Sequence, residues 1–251
     1  MPKPRILTWD IEATQLNADF GAMLCVGYKW LGEPMKSTTV IGVSDVNGTC
    51  KTCATVHRPT DDKALLEEIY PIIASADGWI TWFGKGFDER FVNTRLLYHG
   101  MKPLPPLGRN HIDGWYTARY KLKLHSNRLA SVQSFLGLSD AKTSLYPDAW
   151  LKAIYGDPGA LNYITHHCYQ DVKVLEQAYL KLLPLISVHP NSNLFSGLER
   201  PVCPNCGSTH IQYRGTYYAE TKSYPRFQCQ ACGKWGRDVK GHEGRVTVKG
   251  I

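Results

Sequence analysis

Asp10 and Glu12 close the apolar run RILTWDIEAT two residues apart. On a strand, positions i and i+2 share a face. Both carboxylates then point the same way and need a neutralising partner. A second acidic position, Asp88, follows an apolar run and the loop Gly84-Lys85-Gly86 at the start of a helical stretch. Glycines there let backbone come close to a ligand, and a loop feeding a helix can face a phosphate. A third, Asp171, lies in a long helical stretch just after His166 and His167, in HHCYQD. Gathered in one pocket, four carboxylates bring four negative charges, which two divalent cations cancel. Two metals about 4 Å apart form the clamp used for in-line displacement at phosphate. Hard oxygen ligands favour Mg²⁺ or Mn²⁺ over Zn²⁺. In that chemistry one metal holds the attacking water, the other steadies the leaving oxygen, and a nearby base takes the proton.

The second concentration of chemistry is sulfur. Cys203 and Cys206 in CPNCG, and Cys229 and Cys232 in CQACG, stand 22 residues apart. Two Cys-x-x-Cys-Gly turns match a zinc ribbon, in which a thiolate tetrahedron holds one structural Zn²⁺. So small a module needs its metal to fold. Between and after the pairs, basic and aromatic residues interleave, Tyr217, Arg226 and Trp235 among them. That mixture suits single-strand binding by stacking and charge. The same residues also suit packing within the ribbon or docking on a protein partner. Cys50 and Cys53 form a third pair with no second pair nearby, read as thiols on a strand edge rather than a second metal site. Cys25 and Cys168 read as small buried apolar residues.

Strands must carry the first acids and helices the last. Arg5–Ile11, Ala22–Leu31 and Ser37–Val43 read as strands, then Asn47-Gly48 as a tight turn with a strand returning over Cys50–Val56. TDDKALLEEIYPIIASA opens with capping residues and has helical spacing, with a kink or early stop expected at Pro71. Gly78–Phe83 is a short buried strand, and the stretch carrying Asp88 is a helix stopped by Gly100. RNHIDGWYTARYKLKL starts extended and turns helical. NRLASVQSFLGL is an amphipathic helix, and Gly159 to about Leu183 is the longest helix. The order predicts an α/β fold, a mixed sheet with helices packed on it. The expected domains are residues 1–186, a linker over 187–200, and a ribbon with a basic tail over 201–251.

The 251 residues are 43% hydrophobic and 20% charged, with a net charge of +7. Residues 198–251 hold nine Lys and Arg against four Asp and Glu, so most of the excess lies there. A basic end on a near-neutral body points to a polyanionic partner. No apolar run reaches the roughly 18 residues of a membrane helix, and no leader is read at the start. Paired cysteines in such a chain read as metal ligands in a reducing compartment, so the expected location is cytoplasmic, without a membrane partner.

Asp-Ile-Glu on a first strand, Phe-Asp after a strand and glycine loop, and Asp171 in a late helix resemble the DEDD 3′–5′ exonuclease superfamily, whose fold is ribonuclease H-like. HIDGWYTARY…NRLASVQSFLGL is similar to the branch related to the proofreading domains of family B DNA polymerases. The match runs through most of residues 5–182. The resemblance implies that Asp10, Glu12, Asp88 and Asp171 are ligands of two Mg²⁺ or Mn²⁺ ions. The superfamily divides on a fifth residue: Tyr four positions before the last Asp, or His five before. This chain has His167 at minus four and His166 at minus five. Four helical residues turn about 400° and five about 500°, which favours His167 and leaves His166 open as the base. Phe83 stands where the polymerase-related branch often has Asn. Asp113, in HIDGW, is assigned a capping or supporting role. Lys85 and Phe87 are candidate substrate contacts, Lys85 reading equally as a solvated loop residue. The expected activity is a metal-dependent 3′–5′ exonuclease on a single strand or 3′ end, with DNA favoured over RNA. The alternatives are a structure-specific or RNA-trimming nuclease on the same fold, a non-catalytic nucleic-acid binder, and a partner-docking protein.

Overall fold

The computed structural model describes residues 4–34, 40–138 and 146–243. Strand β1 (Ile6–Ala13) is buried from Ile6 to Trp9 and again at Ile11. A continuous apolar run of this kind belongs to a strand covered on both faces. β1 pairs antiparallel with β2 (Met23–Trp30), which pairs antiparallel with β3 (Val40–Gly42). On its other edge β1 pairs parallel with β4 (Gly78–Thr81), and β4 with β5 (His111–Asp113). The sheet order is β3-β2-β1-β4-β5, with β1 at the centre. Parallel neighbours need long crossovers. These carry α2 (Lys63–Ala74), preceded by the short α1 (Val43–Asn47), and then α3 (Asp88–Tyr98). After β5 come α4 (Gly114–Lys121), α5 (Leu129–Phe135), α6 (Pro147–Ile154) and α7 (Pro158–Leu182).

Helix α7 buries Leu161, Ile164, Cys168, Val172, Leu175, Tyr179 and Leu182. Their spacing of three and four residues makes one stripe. The stripe meets the sheet at Gly27 of β2, where an added Cβ would lie 2.9 Å from both Cys168 Sγ and Val172 Cγ2. Gly27 is the cross-strand partner of Asp10. The missing side chain therefore brings α7 close to the sheet at the level of the acids. Trp9 and Trp79 cross edge to face nearby, 5.7 Å between ring centroids, and fill the core beneath β1 and β4.

Several expectations change. Cys50–Val56 forms turns and a bend, not a strand. Asn47-Gly48 ends α1 instead of closing a hairpin, with Gly48 at φ +70°. Residues 37–39 of the expected third strand lie outside the described residues. α2 passes through Pro71 to Ala74. Asp62, at the N-cap position of α2, makes no side-chain cap. Its fully buried carboxylate instead accepts from Met23 N at 2.9 Å, and from Arg95 Nε and Nη2, both at 2.9 Å. A long-range ion pair outcompeted the local cap. Helix α6 was not anticipated.

Arg5–Lys181 forms one compact unit, and the chain from Leu182 belongs to a second. In the second, β6 (Ile211–Tyr218), β7 (Lys222–Cys229) and β8 (Trp235–Arg237) pair antiparallel in that order, and β9 (His242–Glu243) also pairs with β7. Residues read as linker are tied to the first cysteine turn. Ser192 N donates to Pro204 O at 2.8 Å. The Asn193 amide donates to Val202 O at 2.8 Å and accepts from Val202 N at 2.9 Å.

Candidate functional site

Glu12 leaves β1 on the same face as Asp10 and points toward α7. His167 and Asp171, one helical turn apart on α7, meet it there. His167 Nε2 lies 3.9 Å from Glu12 Oε1 and 3.8 Å from Asp171 Oδ2. One ligand atom from each of the three falls within 4.8 Å of the others. His167 is 2% exposed, and the edge of Trp150 packs against its ring at 6.1 Å between centroids. His166 is exposed, bonds Gln170 at 3.1 Å and stacks on Tyr169. The regular helix thus directs His167, and not His166, to the acids. Asp10 is tied to α7 by its backbone, its carbonyl accepting from Cys168 Sγ at 3.6 Å, and its carboxylate is not one of the three groups that converge.

Asp88 reaches the same strand from the start of α3. Its Oδ1 accepts from the backbone N–H of Ile11, between Asp10 and Glu12, at 3.1 Å. Burial pushes its carboxyl up to about 7, against the pull of bonds from its own N–H and that of Ile11, and the charge of Asp113 adds to the rise. Asp113 caps α4 by accepting from Trp115 N at 3.0 Å. It also accepts from Phe83 N at 2.9 Å and Lys85 N at 3.1 Å, and so shapes the loop that delivers Asp88. Phe83 adopts φ +67°. Asn enters this left-handed region more readily than a bulky residue. The Phe83 ring covers Gly86, where an added Cβ would lie 2.5 Å from Cζ. Beneath the loop, His111 is held between Thr81 Oγ1 at 2.8 Å and Glu89 Oε2 at 2.9 Å. The bond from His111 holds the Glu89 carboxyl below its ordinary range. Phe87 and Gly86 line a groove with Leu16, Asn17, Arg90 and Thr94. Lys85 is half-buried, close enough to Glu89 for its charge to act on that carboxylate.

The residues of this site lie between 10 and 171, inside the span that one family model matches. Residues 7–183 match the model of the RNase_H superfamily. The chain belongs to the RNase_H superfamily. No curated protein matches the sequence. Among solved structures, the chain is similar to the family B DNA polymerase from the hyperthermophilic archaeon Pyrobaculum calidifontis, at 14% identity and a TM-score of 0.51. The alignment covers 88% of this chain and 32% of the polymerase, so the chain spans about a third of that protein's length. This likeness is one of fold, and the ribonuclease H-like mixed sheet agrees with it. Among the described residues no helix is long and apolar enough to cross a membrane.

Outside the span matched to the RNase_H superfamily, Cys203, Cys206, Cys229 and Cys232 converge, an arrangement compatible with a zinc ribbon. Sulfur separations are 3.6 Å for Cys203–Cys232 and 3.6 Å for Cys206–Cys229. A tetrahedron with Zn–S bonds of about 2.3 Å has edges of about 3.8 Å. Burial pushes the Cys232 thiol up to about 11 and raises that of Cys206 as well. A divalent cation would have to displace those protons.

On the ribbon sheet, Tyr217 faces Tyr224, Arg226 faces Arg237, and Gln228 faces Trp235 across the strands. Tyr224, Arg226 and Gln228 alternate along β7, so all six share one side. The Arg226 guanidinium lies 4.7 Å over Trp235, and that of Arg237 lies 3.8 Å over Tyr224. Phe227 points to the opposite side and is buried. The ribbon's aromatics therefore divide: Phe227 packs inward with Tyr213 beside it on that side, while Tyr217, Tyr224 and Trp235 share the other side with Arg226 and Arg237. Trp150 and Gly27 escaped the sequence reading. Neither carries chemistry of its own, and only contact with α7 gives them a role.

Proposed function

We propose that this chain is a divalent-metal-dependent nuclease acting as a 3′–5′ exonuclease. The observation that carries it is the meeting of Glu12, His167 and Asp171, with Asp88 bonded to the same strand. Every donor there except one imidazole nitrogen is a carboxylate oxygen, which fits a hard cation. Asp10, Glu12, Asp88 and Asp171 would hold two Mg²⁺ or Mn²⁺ ions. When bound, these ions stabilise charge on the attacking and leaving oxygens of the phosphodiester. His167, which is buried against Trp150 and faces two carboxylates, would take the proton from the attacking water. Asp113 holds the loop of Phe83 and Lys85 in shape. Lys85 and Phe87 contact the strand end, with the groove beside Phe87 as its path. The four-cysteine cluster holds one structural Zn²⁺. Tyr217, Arg226 and Trp235 form a stacking platform for single-stranded nucleic acid, DNA in preference to RNA.

Digestion of 5′-labelled single-stranded and duplex DNA and RNA, with Mg²⁺ or Mn²⁺, tests this beside an Asp10→Ala/Glu12→Ala control. A shrinking ladder, absent in the control and with chelator, is expected. Internal cuts without a free 3′ end would replace exonuclease by endonuclease. Intact strands that still shift on a gel would overturn catalysis in favour of binding.

A further inference from the structure

The two ribbon turns share a backbone signature. The N–H of the first cysteine donates to the carbonyl five residues on: Cys203 N to Ser208 O, and Cys229 N to Lys234 O, both 2.8 Å. The N–H of the fourth residue after that cysteine returns to its carbonyl: Gly207 N to Cys203 O, and Gly233 N to Cys229 O, both 2.9 Å. The returning residues have φ +70° and +78°. Residues 50–57, CKTCATVH, repeat all three features. Cys50 N donates to Thr55 O at 2.8 Å, Ala54 N donates to Cys50 O at 2.9 Å, and Ala54 has φ +54°. Ala54 carries a Cβ where the ribbon has glycine, in a backbone conformation that strains an L-residue. Strain of this kind persists only where the surroundings over-determine it.

The turn aims both thiols one way, and His57 joins them. Its Nε2 lies 3.0 Å from Cys53 Sγ. Cys50 Sγ, Cys53 Sγ and one His57 nitrogen all fall within 4.8 Å of one another. His57 is steered there by its neighbour. Val56 is buried, and its N–H donates to Gly156 O at 2.9 Å. Gly156, at φ +82°, admits this contact, since a Cβ there would lie 2.3 Å from Val56 O. The segment is thereby docked on the turn between α6 and α7.

We propose that Cys50, Cys53 and His57 form a second soft-metal site, taking Zn²⁺ separately from the four-cysteine cluster. Two thiolates and an imidazole are zinc's preferred donors. A tetrahedral ion needs about 3.5 Å between sulfur and nitrogen, so Cys53 and His57 separate by about half an ångström on binding. Cys53 and His57 are exposed, and the fourth position takes water. The bound ion fixes the segment that holds Gly156.

The test is zinc content by elemental mass spectrometry on the full chain, purified under reducing conditions and washed with a weak chelator. A Glu12→Gln/Asp171→Asn background keeps zinc off the carboxylates. Two zinc ions per chain are expected, falling to one with Cys53→Ser and, as a second variant, with His57→Phe. Cobalt loading provides a second readout, because thiolate-to-cobalt absorption should fall by about a third in Cys53→Ser. One zinc per chain, unchanged by either variant, would overturn the proposal. So would a chain mass two hydrogens lower, which marks a Cys50–Cys53 disulfide.

Discussion

His166 and His167 are adjacent in the chain, yet they occupy different chemical worlds. The 100° step of a helix leaves His166 in solvent beside Gln170 and buries His167 against Glu12 and Asp171. Loss of a general base typically costs 100-fold or more in rate, roughly 10²–10⁴. His167→Gln should therefore lose about that factor in kcat for strand cleavage, while His166→Gln stays near wild type. Single-turnover digestion of a labelled oligonucleotide measures both. Equal losses would place the proton transfer elsewhere. Gly27 works at the same scale through packing alone, because a hydrogen in place of a side chain lets Cys168 and Val172 of α7 approach the strand beside Asp10.

Elements are held to one another by charges that the local sequence does not predict. Asp62 ties the start of β2 to α3 through Met23 N, Arg95 and His99, whose Nε2 is 2.7 Å away. Removing one partner of a buried ion pair leaves the other charge stranded, at about 3–5 kcal/mol. Asp62→Ala should lower unfolding stability by that amount, read from the denaturant midpoint. A second element-level effect depends on pH. Burial lowers the pKa of His189 below its ordinary 6.5, more than the bond to Pro190 O raises it, and Lys234 adds to the lowering. The unfolded chain then takes up a proton that the folded unit resists. Stability is full above about 6.5 and is lost as pH falls below it. Thermal unfolding of the second unit, followed by its tryptophan or tyrosine signal, should show this loss, and His189→Gln should reduce it.

At the scale of the molecule, a unit with a half-buried acidic centre is joined in one chain to a small unit with an exposed basic and aromatic face. If that face binds a strand, each stacked ring is worth about 1–3 kcal/mol. Trp235→Ala should weaken single-strand affinity by that amount and raise KM for cleavage while leaving kcat nearly unchanged. Titration with a labelled oligonucleotide measures the affinity. If the four-cysteine cluster holds zinc, removing the ion should have the larger effect, since it would unfold the platform instead of trimming it. An unchanged affinity in Trp235→Ala would assign the face to a protein partner.

The sequence by itself determined the order of elements around the acids, the mixed sheet, the long last helix and the paired cysteines. These are local or periodic signals: the continuous apolar run of β1, a stripe of three and four along α7, and turns marked by glycine. Only the tertiary structure decided the rest. Cys50–Val56 looks like a strand by composition, but the docking of Val56 on Gly156 turns it back on itself. Asp62 looks like a cap, but Arg95 lies 33 residues away in sequence and 2.9 Å away in space. Helical spacing favoured His167 but left His166 open until α7 was seated on Gly27, because a side chain's partner depends on which face of the helix is covered. Short-range spacing encodes what each element is. What each side chain meets depends on packing between distant parts of the chain, which no local pattern records.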